Sequence, residues 1–170
     1  GGHVSGCFDL GDRIDAGRSV KPIHAVADEF AYSAAYLIAS SCTDFKVART
    51  GGAGSIGVLR VHYDMSRAVE AAGVTVTFIQ SGAHKTDDHP LKPLSEAAQA
   101  RLQARSAELY DVFTRTVARN RGMDAQAVRD TEALTYSAAE AVSLGLADSI
   151  GTLDDATAEF SADMSNQEDD

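Results

Sequence analysis

Apolar positions along this chain follow two rhythms, one of two residues and one of three to four. The runs Ile23-His24-Ala25-Val26-Ala27, Asp44-Phe45-Lys46-Val47-Ala48 and Val74-Thr75-Val76-Thr77-Phe78-Ile79 predict strands. Helical spacing predicts helices over 5–17, from residue 33 through the apolar segment that follows it, and over 65–72, 95–120 and 124–130. Arg121-Gly122 is a stop signal for the long helix. Ser137-Ala138-Ala139-Glu140 reads as a capping box that opens a helix ending at Gly145. Strands alternating with helices predict an α/β fold of βαβ-like units.

A length of 170 residues is enough for one domain with a buried core. The formal net charge of -10 argues against general nucleic-acid binding. Part of that charge is terminal. Residues 154–170 are read as an acidic tail, solvated and disordered from Ser165 onward, after a domain covering 1–153. Cys7 and Cys42 show neither a disulfide framework nor metal-ligand spacing, and are expected as free thiols in a reducing cytosol. No apolar run approaches the ~20 residues of a membrane helix. The chain opens on Gly1-Gly2-His3-Val4-Ser5-Gly6 with no initiator Met, and reads as starting inside a fold.

The chemistry centres on Tyr32-Ser33-Ala34-Ala35-Tyr36. A serine between a strand and a helix, followed by small residues, suits a nucleophile with a backbone N–H beside it. The same position suits an ordinary N-cap. A serine nucleophile needs a base, and neither His3, His24, His62, His84 nor His89 shows triad spacing. Lysine is the other option, provided its pKa falls from ~10.4 towards ~7–8. Lys85 lies in the polar loop 80–93, where it is either that base or a solvated surface lysine. The stretch Gly51-Gly52-Ala53-Gly54-Ser55-Ile56-Gly57 lacks a Walker lysine and opens no dinucleotide-type helix, so it is not a phosphate loop.

Six segments in order resemble the signal peptide peptidase A family of serine–lysine peptidases. They are Gly1-Gly2-His3-Val4, Lys21-Pro22-Ile23, Tyr32 to Ser40, Thr50 with Gly54-Ser55-Ile56-Gly57-Val58, Ser81-Gly82-Ala83-His84-Lys85, and Gly145-Leu146-Ala147-Asp148. Lys85 follows Ser33 at the spacing of single-domain members of that family. The resemblance implies a ClpP/crotonase-like α/β fold, with N-terminal strands expected before Gly1. It implies Ser33 as nucleophile and Lys85 as base. It further implies an oxyanion hole from the Gly2 and Ala34 N–H groups, and Ser55 orienting the lysine. It implies no metal and no organic cofactor. Ala34-Ala35 stands where Gly-Gly is common in the family, which narrows the cleft.

Within the family, Gly6-Cys7-Phe8-Asp9, Ser81 to Asp87 and Asp130-Thr131-Glu132-Ala133 resemble tailed-phage capsid assembly proteases. That resemblance implies scaffold, capsid or portal proteins as substrates, in a phage prohead or the bacterial host cytoplasm. It implies a homo-oligomer, and a scaffold region after the acidic tail. The alternatives are a signal-peptide or membrane-protein peptidase, anchored through a segment before Gly1, and a catalytically silent scaffold or portal-binding domain.

Overall fold

The computed structural model describes residues 1–168. They form two compact units: residues 1–57 with 110–168, and residues 58–109. The first unit holds all the strands. Its elements begin with α1 (Cys7–Gly17), β1 (His24–Ala27), β2 (Phe30–Tyr32), α2 (Ala34–Ser40), β3 (Asp44–Val47) and β4 (Gly52–Gly54). The second unit holds α3 (Ser66–Ala71) and the first half of α4 (Glu96–Arg121). The first unit resumes with the rest of α4, then α5 (Ala125–Arg129), β5 (Thr135–Ser137), α6 (Ala138–Ser143), β6 (Ser149–Ile150) and α7 (Leu153–Glu168).

Two three-stranded sheets organise the first unit. One has the order β1-β3-β6, all parallel. The other has the order β2-β4-β5, with β2 and β4 parallel and β4 and β5 antiparallel. The parallel pair β1-β3 joined through α2 is the expected βαβ unit, so the α/β class read from the sequence holds.

The core forms where α1, α2, the end of α4 and α6 bury small and aromatic residues against these sheets, with Tyr36, Leu37, Phe45, Val117 and Leu146 at its centre. α1 approaches α2 closely because Gly11 has no side chain; a Cβ there would lie 2.8 Å from Leu37 Cδ2. Asn120, buried near the end of α4, donates to the Ser40 and Ser41 hydroxyls at 3.2 and 2.8 Å and so pins α2 from its C-terminal end. The capping box at Ser137 is present in full.

Three expectations need correction. Val74–Ile79 is not a strand: it is irregular, with Ile79 98% exposed. Its period-two pattern survives, since Val76 and Phe78 are partly covered while their neighbours are exposed. No strand among the described residues of its unit pairs with it, and a strand requires a ladder partner. Conversely, the three-residue strands β2, β4 and β5 form where the hydrophobic pattern predicts none.

The third correction concerns the acidic segment. α7 (Leu153–Glu168) covers the acidic segment and runs past Ser165, from which disorder was expected; residues 169–170 lie outside the described residues. Thr152 and Asp155 cap α7 reciprocally: the Asp155 carboxylate accepts the Thr152 N–H at 2.8 Å, and Thr152 Oγ1 accepts the Asp155 N–H at 3.1 Å. Its acidic residues are partly paired. Glu159 lies 2.7 Å from the Lys46 ammonium, and Asp163 lies 3.2 Å from His24 Nε2. Phe160 stacks edge-on against His24.

Candidate active site

The parallel register of β2 and β4 sets two serines side by side. Tyr32 is opposite Gly54, so Ser33 and Ser55 are the next residues along each strand. The Ser33 N–H donates to Gly54 O at 2.9 Å, and the Ser55 N–H donates to Leu134 O at 2.8 Å. Both serines leave their strand with positive φ, 58° for Ser33 and 53° for Ser55. A non-glycine residue rarely adopts such backbone.

Ser33 has the position of an N-cap on α2, yet its side chain makes no capping hydrogen bond, and its ψ is -123°. The Ser33 side chain therefore does not cap α2. A capping serine has extended backbone and gives its oxygen to the helix. Ser33 instead sits on a sharp, strained strand-to-helix turn, and among the described residues its Oγ has no hydrogen-bond partner.

The chain start runs beside this turn. A Cβ on Gly1 would lie 3.5 Å from Ser33 Cβ and 3.9 Å from Ser33 Oγ, and one on Gly2 would lie 3.3 Å from Ala34 Cβ. Among the described residues neither the Gly2 nor the Ala34 N–H donates to a backbone carbonyl. Beside them lies a cavity of about 460 Å³, lined by Gly1, Gly2, His3, Cys7, Ala34 and Ile38 among others. Cys7 is buried under α2, with its Sγ 3.7 Å from Ala34 O, and burial pushes its thiol pKa up. Cys42 is likewise a buried free thiol with a raised pKa.

The glycine run is explained by close packing of β4 between two neighbours. A Cβ on Gly51 would lie 1.9 Å from Glu29 O, and Gly54, with φ 118°, would place one 2.7 Å from Leu134 O. Just before β5, Glu132 and Ala133 also have positive φ, 48° and 57°. The sequence offered no sign of this strained support, because neither residue type favours such backbone.

Lys85 belongs to the second unit. It is exposed on a turn closed by its own N–H to Gly82 O at 3.2 Å, and among the described residues its ammonium has no hydrogen-bond or salt-bridge partner. The structure thus brings Gly2, Ser33, Ala34 and Ser55 together in one unit and sets Lys85 in the other. The histidines have other partners. His24 faces Asp163, His62 faces Asp88 at 3.2 Å, His84 faces Asp87 at 3.2 Å, and His89 packs against Phe78. His3 alone of the five lines the cavity at Ala34.

Among the described residues no group of His, Cys, Asp and Glu is placed to hold a metal ion. No helix among them is long and apolar enough to cross a membrane.

The chain is 39% identical over 156 residues to capsid assembly protease C of Escherichia phage lambda, covering 92% of this chain and 36% of that protein. It is 36% identical over 156 residues to head-tail preconnector protein GP5 of Enterobacteria phage P21, covering 92% of this chain and 31% of that protein. The chain therefore spans about a third of the length of these relatives. The solved structure of a membrane-bound stomatin-specific protease shares the fold, with a TM-score of 0.54 at 14% identity over 89% of this chain and 59% of that one. The pattern of peptidase family S49 matches residues 15–166, nearly the whole chain, and the protein belongs to that family.

Proposed function

We propose that this protein is a serine endopeptidase in which Ser33 is the nucleophile and Lys85 the general base. The observation that carries the reading is the Ser33 turn, strained and uncapped, with the Gly1-Gly2 backbone alongside. Membership of a peptidase family supports it.

In the proposed reaction Lys85, as the neutral amine, takes the Ser33 hydroxyl proton while Oγ attacks the scissile carbonyl carbon. The Gly2 and Ala34 N–H groups donate to the oxyanion that forms. Collapse breaks the C–N bond, the lysine proton passes to the leaving amine, and an acyl-serine ester remains. Lys85 then deprotonates a water that attacks the ester, and the second collapse releases the acid and restores Ser33. In this reading the role of Ser55 is to orient the Lys85 amine. The phage lambda relative, named a capsid assembly protease, supports scaffold, minor capsid or portal proteins as substrates during phage head maturation. In this reading the enzyme acts as a homo-oligomer.

The test is co-expression of the full-length protein with its neighbouring head proteins, alongside labelling with a fluorophosphonate probe. Wild type is expected to cleave and to label; Ser33→Ala does neither. Lys85→Ala lowers the labelling rate by roughly 10²–10⁴-fold, the usual contribution of a positioned base. Ser55→Ala loses less than either. Wild-type labelling by Lys85→Ala overturns the dyad and makes His3, on the adjacent cavity, the next base to test. Labelling without cleavage of any head protein redirects the substrate towards membrane proteins. Absence of both in the wild type marks a silent domain.

A further inference from the structure

We propose that Asp87 is a positioning residue for Lys85, holding the turn that carries the amine onto helix α4; this rests on the reading of Lys85 as the base. The segment Ser81-Gly82-Ala83-His84-Lys85 has no large apolar side chain to bury, so polar bonds must fix it. On one flank, Gln80 Nε2 donates to Ala83 O at 3.2 Å and Thr86 Oγ1 donates to Gln80 Oε1 at 2.7 Å. Lys92 Nζ donates to Thr86 Oγ1 at 3.0 Å. Across Lys85, the Asp87 carboxylate lies 3.2 Å from His84 Nδ1. The same carboxylate oxygen accepts from Arg101 of α4, from Nε at 3.0 Å and also from a terminal guanidinium nitrogen.

The residues on both sides of Lys85 are thus tied together, and Asp87 ties them to a helix. Two guanidinium nitrogens converge on one carboxylate oxygen, a charge-assisted contact stronger than a neutral hydrogen bond. The groups facing Asp87 are Arg101, His84 and Lys92, all cationic or able to become so. The Arg101 hydrogen bond is the main cause that holds the Asp87 carboxyl below the ordinary range, so the clamp stays ionised at neutral pH. Placement matters because a misplacement of about 1 Å in a reacting group can cost ~10²-fold in rate.

The experiment uses the full chain and a fluorophosphonate probe on Ser33. It measures the labelling rate at saturating probe and the half-saturating probe concentration separately. Asp87→Asn and Arg101→Gln are each expected to lower the saturated rate by roughly 10- to 100-fold, with the half-saturating concentration unchanged within about two-fold. The double variant falls no further than the worse single, because the pair acts as a unit. Asp87→Glu, which keeps the carboxylate, recovers part of the rate. Glu108→Gln, at an exposed pair elsewhere on α4, changes nothing. Wild-type labelling by Asp87→Asn while Lys85→Ala is inactive overturns the positioning role and leaves the base intact. Additive losses in the double variant overturn it too. Wild-type labelling by Lys85→Ala overturns the underlying reading instead. If Asp87→Asn does not fold, Arg101→Gln decides through the same split between rate and half-saturation.

Discussion

Ser33 holds a conformation that serine ordinarily avoids, and it does so in company. The described non-glycine residues with positive φ are Ser33, Ser55, Glu132 and Ala133. The first two follow β2 and β4, and the last two precede β5, so all border one small sheet. Such backbone costs of order 1–3 kcal/mol per residue and persists only where the surroundings over-determine it. Here the Ser33 N–H bond to Gly54 and the Ser55 N–H bond to Leu134 hold the two turns. Glycine adopts this backbone without a Cβ penalty, whereas alanine keeps the penalty. Ser33→Gly should therefore be more stable than Ser33→Ala by about 1 kcal/mol, after the greater chain entropy of glycine is counted. In a chain of this size that is roughly 2–4 °C in melting temperature, measured by thermal unfolding with both variants unlabelled by the probe. Equal melting temperatures would mean the turn stores no strain. The Ser33 junction was legible in the sequence, but its strained backbone was not, because a cap and a nucleophile ask for the same residue at the same junction.

Elements with local signals were legible, and those made by distant partners were not. The capping box at Ser137, the long polar-faced α4 and the strands at His24 and Asp44 all carry their own pattern. β2, β4 and β5 are three residues each, too short for a period to show, and exist because each lies beside another. Val74–Ile79 is the reverse case, a strand pattern with no partner among the described residues of its unit. α7 did have a local signal, the Thr152–Asp155 cap, which its acidic composition masked. The second sheet carries the Ser33 turn, so damage to it should reach the site, whereas damage to a cap should not. Gly51→Ala drives a Cβ into Glu29 O and should destabilise by about 3 kcal/mol, the upper end for overpacking, while also slowing Ser33 labelling. Ser137→Ala removes a cap worth about 1 kcal/mol and should leave labelling unchanged. Urea unfolding with probe kinetics separates the two; equal labelling in both would detach β4 from the site.

Across the molecule's sheet-bearing unit, the closing segment Gly145-Leu146-Ala147-Asp148 joins elements far apart in sequence. Leu146 is fully buried, and its carbonyl accepts the Tyr36 hydroxyl of α2 at 3.0 Å. Burial raises the Tyr36 pKa, which keeps that hydroxyl a donor. Asp148 accepts the Phe45 N–H of β3 at 2.7 Å and pairs with both terminal nitrogens of Arg121 from α4, at 2.9 and 2.8 Å. Burial acts to raise the Asp148 carboxyl, but the Arg121 and Phe45 bonds outweigh it and hold the group below its ordinary value. A depressed carboxyl adds stability that is fully present above the unfolded-state value of ~3.9 and is lost as pH falls through the folded one. Arg121 is only 8% exposed, so Asp148→Asn leaves a nearly buried cation without its charge partner. Because Asp148 itself is 35% exposed and partly screened, the cost at pH 7 should be roughly 2–3 kcal/mol rather than the full penalty of breaking a buried pair. Urea unfolding of wild type and variant at pH 7 and pH 3 should show that gap narrowing in acid, as the wild-type carboxylate takes up a proton. A gap of the same size at both pH values would mean that the closing segment is held by its neutral hydrogen bonds and not by the ion pair.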